Sequence, residues 1–206
     1  MIPSRSIERE LSEIQTACRA CIRCQDEGII AEAAPIFEGR PDAIFFLVGQ
    51  APGPVERETR RPFSGRAGRE LGRWMVRAGF KSEQEFRQLT YIAALMRCFP
   101  GRNPAGNGDR PPPASGIRNC AGWLDAELRL LRPSVVVLVG QMAIRRFLGP
   151  GALEERVGSA FGDDPRYVPL PHPSGQSRWL NDPSNRARLE RALATLSELR
   201  ERLLAV

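Results

Sequence analysis

Four short apolar runs, each closed by turn-forming residues and separated by helix-like segments, constrain this chain more than any other feature. They are 43-AIFFLVG-49, 91-YIAALM-96, 134-SVVVLVG-140 and 166-RYVPLP-171. Each has the length of a strand and is apolar at successive positions, the pattern of a strand buried on both faces. The segments between them have helical periodicity. Residues 7–20 place apolar side chains at helical spacing, and 66–79 carry Leu71, Trp74, Met75 and Ala78 on one face before a glycine. Segments 117–131 and 141–148 read the same way. A last helix is expected with Asp182 as N-cap and Pro183 at its first position, turning Leu189, Leu193, Leu196, Leu199 and Leu203 toward the core. Strands alternating with helices predict an α/β fold of three layers, α/β/α, around a mainly parallel four-stranded sheet. Such sheets form their sites at the carboxyl ends of the strands. Here those ends run into 50-QAPGP-54, Met96-Arg97-Cys98 and 172-HPSG-175, so three loops should converge on one rim.

The 206 residues are 42% hydrophobic and 26% charged, which suits one domain spanning 1–206 and excludes a disordered chain. No apolar run nears the roughly 20 residues of a membrane span. The charged start, MIPSRSIERELSE, lacks the apolar stretch of a secretory signal. A cytoplasmic monomer with no membrane partner is the expectation. Of 30 basic residues Lys81 is the only lysine, leaving 29 arginines, and the formal net charge is +6. Genome nucleotide composition accounts for that bias as readily as function does. Read functionally, guanidinium forks on a basic surface suit a polyanionic partner.

Cysteines stand at 18, 21, 24, 98 and 120. An odd count without an export signal argues against a disulfide framework and for a metal or cluster site. Four-sulfur zinc sites usually combine two C-x-x-C pairs. One dense group with two dispersed cysteines suits the four thiolates of a 4Fe–4S cluster better, with buried free cysteines as the bland alternative. Spacing alone does not say which of the five is spare.

Taken together, 49-GQAPGP-54, 62-PFSGRAG-68, the run from Tyr91 to Cys98 ending in Arg-Cys, 133-PSVVVLVG-140 and 172-HPS-174 resemble the uracil-DNA glycosylase superfamily, specifically its iron–sulfur branches. The similarity covers about residues 17–182, and the order of the motifs carries it more than any one motif does. The resemblance implies a DNA repair glycosylase with a 4Fe–4S cluster, acting on damaged DNA, single- or double-stranded. It places the family's C-x-x-C on Cys21 and Cys24, completes the cluster with Cys98 and Cys120, and leaves Cys18 as the spare.

Such an enzyme takes the damaged base out of the stack, and the base then leaves as an anion while the sugar becomes oxocarbenium-like. The chemistry asks for a stacking wall, a reader of the base edge, a donor to the leaving oxygen, and a group that holds water or offsets positive charge. By resemblance Phe63 is the stacking aromatic and His172, the only histidine, the donor to the base carbonyl. Gln50 stands where cluster-bearing relatives usually have a glutamate, and Ala51 where classical relatives have an aspartate. Ala94 replaces a base-reading asparagine, and Arg66 replaces the catalytic aspartate of another branch while remaining a candidate phosphate contact. Gln50 can orient a water but cannot take its proton. Glu56, at a family acidic position, is then the candidate catalytic carboxylate, with a solvated loop charge as its plain alternative. The base pocket is expected from Gln50, Ala51, Phe63, Ala94 and His172. Without the amide at 94, discrimination between bases should weaken. The loop 174–182 resembles the family's minor-groove loop, in which Ser174 and Arg178 would meet phosphates and Trp179 would either wedge into DNA or pack under the last helix. Two other readings remain: a catalytically weak or inactive lesion-binding module of the same fold, and an iron–sulfur sensor unrelated to bases.

Overall fold

A computed structural model describes residues 5–106, 108–174 and 178–205. Its sheet has four strands, β1 (Phe45–Gly49), β2 (Thr90–Ala94), β3 (Val135–Val139) and β4 (Arg166–Leu170), in the order β2-β1-β3-β4. Every neighbouring pair is parallel, with Phe46 level with Tyr91 and Val136, and Val136 level with Tyr167. All residues of β1, β2 and β3 are buried, as their unbroken apolar runs require.

Helices cover both faces and complete the three-layer α/β/α architecture. They are α1 (Arg5–Arg19), α2 (Arg23–Asp26), α3 (Pro54–Thr59), α4 (Arg66–Arg77), α5 (Glu83–Leu89), α6 (Ala114–Leu131), α7 (Gln141–Leu148), α8 (Leu153–Arg156) and α9 (Pro183–Leu204), with a 3₁₀ turn at Arg178–Asn181. One group packs α1 against α6; another packs α4 against α5 and α9. Trp74 and Met75 of α4, Leu124 of α6 and Leu193 and Leu196 of α9 enter the core, where Phe45 meets Phe80 edge-on and Phe46 stacks on Tyr91. As expected, α9 opens at Asp182, whose carboxylate accepts the Ser184 N–H at 2.7 Å. Among the described residues no helix is long and apolar enough to cross a membrane.

The strand pattern stands within one or two residues of its sequence reading, and the differences lie in the connections. α5 falls where periodicity over a few residues is too short to register, yet Ser82 caps it by accepting the Glu85 N–H at 3.1 Å. α3 forms inside the expected loop 50–65, started by Pro54 and by the Glu56 carboxylate, which accepts the Gly53 N–H. α6 begins three residues before Ile117, directly after a run of prolines that cannot themselves extend a helix.

All four strands point their carboxyl ends at one rim. β1 delivers Gly49 and Gln50, β2 delivers Ala94, β3 leads into Gly140, and β4 into His172. Beyond the strands, the Leu95 N–H donates to the Gly49 carbonyl and the Met96 N–H to that of Gln50, which fixes the first loop against the second.

Candidate active site

A cavity of about 610 Å³ opens on this rim. Gln50, Ala51, Phe63, Ala94 and His172 all line it, together with Glu56, Arg66 and Ser174. Residues far apart in the chain therefore share one wall because four parallel strands end there.

Gln50 and His172 meet across Gly140, the residue that follows β3. Its φ of +87° belongs to the left-handed region, and a methyl group there would stand 2.5 Å from Gln50 Nε2 and 3.3 Å from His172 Cδ2. Only a residue without a side chain lets both close over it. The His172 ring is half-buried, and burial lowers its pKa below the ordinary value, so the imidazole is neutral near pH 7. The Ser174 N–H donates to Nδ1 at 3.2 Å, which leaves the proton on Nε2. His172 is thus a neutral donor whose Nε2–H adjoins Cδ2, the ring atom that faces Gly140.

Phe63 is held in an unusual backbone state, with φ at 50°. Its ring lies at the end of β1, where Cζ would be 3.1 Å from a methyl on Gly49. Its carbonyl oxygen would be 1.8 Å from a methyl on Gly68, so α4 can lie this close only with glycine there. The guanidinium of Arg87 donates to the carbonyls of Pro62 and Phe63, both at 3.0 Å.

Glu56 lines the cavity, but both of its oxygens are engaged. Oε2 accepts the Gly53 N–H at 3.0 Å and Oε1 the Gly65 N–H at 2.8 Å, so the carboxylate ties the 49–54 loop to the start of α4. The sequence reading missed Asp109, the other acidic residue among those lining the cavity; its carboxylate meets Arg102 at 3.3 Å. No sequence signal marks it, because it reaches the rim through the fold-back of a Pro/Gly-rich loop, with Arg102 bridged to Asp109.

Arg66 and Arg178 are exposed, as a phosphate contact requires. Trp179 takes the packing alternative. It lies half-buried against the core, its indole N–H donating to Glu154 at 2.5 Å and its carbonyl accepting from Asn185 at 3.0 Å. Residues 175–177 of the 174–182 loop lie outside the described residues.

Away from the rim, all five cysteines line a second, small cavity with Arg97, Asn119 and Trp123. Cys24, Cys98 and Cys120 form a buried group with Ile30 and Met96, and Cys21 is half-buried beside them. Cys18 instead belongs to the main core and is 0% exposed. The Arg97 N–H donates to the Cys120 sulfur at 3.4 Å, and the Asn119 amide to that of Cys24 at 3.6 Å. Burial pushes the Cys98 thiol up to about 12 and that of Cys120 up to about 11, so binding a metal here displaces protons. Among the described residues no three Cys, His, Asp or Glu side chains stand ready as a cage for one ion.

Arg97 and Glu127 form an ion pair next to the cysteines, 1% and 0% exposed, and the Glu127 carboxylate also accepts the Tyr91 hydroxyl at 2.8 Å. Nε and Nη1 of Arg97 are buried with no partner among the described residues.

Comparison with known proteins assigns the chain to a family. The family model described as the uracil DNA glycosylase superfamily matches residues 36–197. The chain is similar to the type-4 uracil-DNA glycosylase of Thermotoga maritima, 32% identical over 111 residues that make up 54% of this chain and 52% of that protein. With the type-4 uracil-DNA glycosylase of Sulfurisphaera tokodaii it shares 30% identity over 131 residues, 64% of this chain and 54% of the relative. A type-5 uracil-DNA glycosylase of Pyrobaculum aerophilum is 34% identical over 61 residues, 30% of this chain and 24% of its own. The chain thus spans about half the length of these two type-4 relatives.

Proposed function

The chain belongs to the uracil-DNA glycosylase superfamily, and on that premise we propose that it hydrolyses the N-glycosidic bond of uracil or another deaminated base flipped out of DNA. The observation that carries this reading is the meeting of Gln50 and a neutral, Nε2-protonated His172 over Gly140, inside a cavity walled by the Phe63 ring.

The base would stack on Phe63, and His172 Nε2–H would donate to the carbonyl oxygen on which negative charge builds as the bond breaks. A neutral donor placed for that charge stabilises the transition state more than the bound substrate. Gln50 would hold the attacking water through its amide oxygen. With both oxygens of Glu56 bound to backbone amides, Glu56 acts as a clamp between loops. Asp109 is the cavity carboxylate that could receive the water's proton. Ala51 and Ala94 offer the base edge no hydrogen-bonding side chain, which supports acceptance of several deaminated bases. Arg66, Ser174 and Arg178 would contact DNA phosphates without reading sequence.

The cysteines fit an iron–sulfur cluster in their chemistry: four sulfurs from α2, its approach, the loop after β2 and α6, two of them already accepting N–H bonds. Cys21, Cys24, Cys98 and Cys120 would hold a 4Fe–4S group, while Cys18, packed in the main core, would stand aside. Arg97, paired with Glu127, lines the same cavity and keeps Nε and Nη1 without a partner among the described residues, two donors that could face such an anionic group. When bound, the group would cross-link these segments and brace the rim from behind.

A second reading, a lesion-binding module without turnover, is favoured by the engagement of Glu56 and by alanine at 51 and 94. One experiment separates the two. Oligonucleotides carrying uracil, hypoxanthine or xanthine are incubated with the protein and cleaved with alkali. Strand breaks at a lesion support the glycosylase; lesion-selective binding with no break on any of them supports the module.

A further inference from the structure

We propose that Arg87 is a positioning residue for the base-stacking wall, holding Phe63 in the backbone conformation that presents its ring at the rim; this rests on the reading of Phe63 as the stacking aromatic. Left to itself a phenylalanine avoids positive φ, because its Cβ crowds the backbone carbonyl. Phe63 nevertheless sits at a φ of 50°. Such a state persists only where its surroundings over-determine it.

Arg87 supplies the constraint. It lies on α5, 7% exposed, and reaches the carbonyls of the 62–63 segment. Nη2 donates to both the Pro62 and Phe63 carbonyls at 3.0 Å, clamping two consecutive peptide groups with one nitrogen. The other side of the fork is tied down, Nε to Glu83 at 2.9 Å and Nη1 to Glu38 at 2.8 Å. Two carboxylates neutralise the buried charge and fix the plane of the guanidinium, so the clamp has little freedom to follow the loop. α4 also closes on the Phe63 carbonyl at Gly68. The ring then has one place to go, over Gly49 at the end of β1, next to Gln50. A lysine at 87 could keep a carboxylate partner, but a single ammonium cannot span both carboxylates and both carbonyls.

A double-mutant cycle tests this with excision kinetics on the active lesion, comparing Arg87→Lys in the parent and in Phe63→Ala. A misplaced reaction partner costs about 10- to 100-fold in rate. Arg87→Lys is therefore expected to lower kcat/KM at least about tenfold in the parent but less than about twofold when Phe63 is already alanine. Melting temperatures are recorded for all four proteins, and equal losses of kcat/KM in both backgrounds would overturn the proposal in favour of a general structural role. Independently of activity, 4-fluorophenylalanine at position 63 should give one sharp fluorine resonance in the parent and a shifted or broadened one in Arg87→Lys. An unchanged resonance also overturns it. A parent that excises nothing but shows the resonance change keeps Arg87 as the brace of Phe63 and removes only the glycosylase reading.

Discussion

Glu56→Gln separates a carboxylate that reacts from one that holds two loops together. In the structure each Glu56 oxygen accepts one backbone N–H, from Gly53 at 3.0 Å and from Gly65 at 2.8 Å. Glutamine offers one acceptor oxygen, and its NH₂ would face the other N–H donor to donor. The substitution therefore loses one hydrogen bond to a charged acceptor, worth about 1.5–3 kcal/mol. The residue is half-buried, and water can partly re-satisfy the released amide, so the lower half of that range, about 1.5–2 kcal/mol, applies. For a chain of this size each kcal/mol moves Tm by about 2–4 °C, which predicts a fall of about 3–8 °C. Thermal unfolding followed by circular dichroism measures it, alongside excision rates taken well below the transition. A modest loss of rate with that drop in Tm is the expected pair. An unchanged Tm with excision reduced 100-fold or more would refute the clamp and make Glu56 the catalytic carboxylate.

Three further outcomes follow from the same geometry. His172→Ala should retain DNA affinity and lose about 10²–10³ in single-turnover excision, as removal of a transition-state donor does; parental rates on every active lesion would defeat the proposed mechanism. Because burial lowers the His172 pKa, the folded protein resists a proton that the unfolded chain accepts. Its stability contribution should then be full above about pH 6.5 and decline as pH falls, and excision should fall with an acid-side midpoint under 6.5, since protonated Nδ1 cannot accept the Ser174 N–H; a flat rate–pH profile that is still sensitive to His172→Ala would contradict this. Cys98→Ser and Cys120→Ser should lose iron and the broad absorbance near about 400 nm of thiolate-bound iron, while Cys18→Ala keeps both; metal analysis showing zinc with no iron, or bleaching by Cys18→Ala, would refute the assignment.

The sequence by itself determined the sheet and the rim. Short apolar runs closed by turn residues and alternating with helical segments read as strands of a covered parallel sheet, and in such a sheet all their carboxyl ends emerge on one side. Gln50, Ala94 and His172 were therefore bound to come near one another, whatever their separation in the chain. The dense cysteines and the two distant ones do line one cavity, although their spacing in the chain did not say which of them would group. What the sequence could not decide was which polar group each side chain would satisfy. Glu56 looks equally like a base, a loop charge or a clamp until Gly53 and Gly65 present their amides to it. Arg87 is one of 29 arginines until folding carries it to carbonyls 24 and 25 residues away. Trp179 could wedge or pack, and Glu154 with the core claims it. Periodicity fixes which face of an element is buried, because burial repeats along the chain. Hydrogen-bond partners do not repeat; they are settled only when the tertiary structure excludes water and brings distant donors and acceptors within reach of one another.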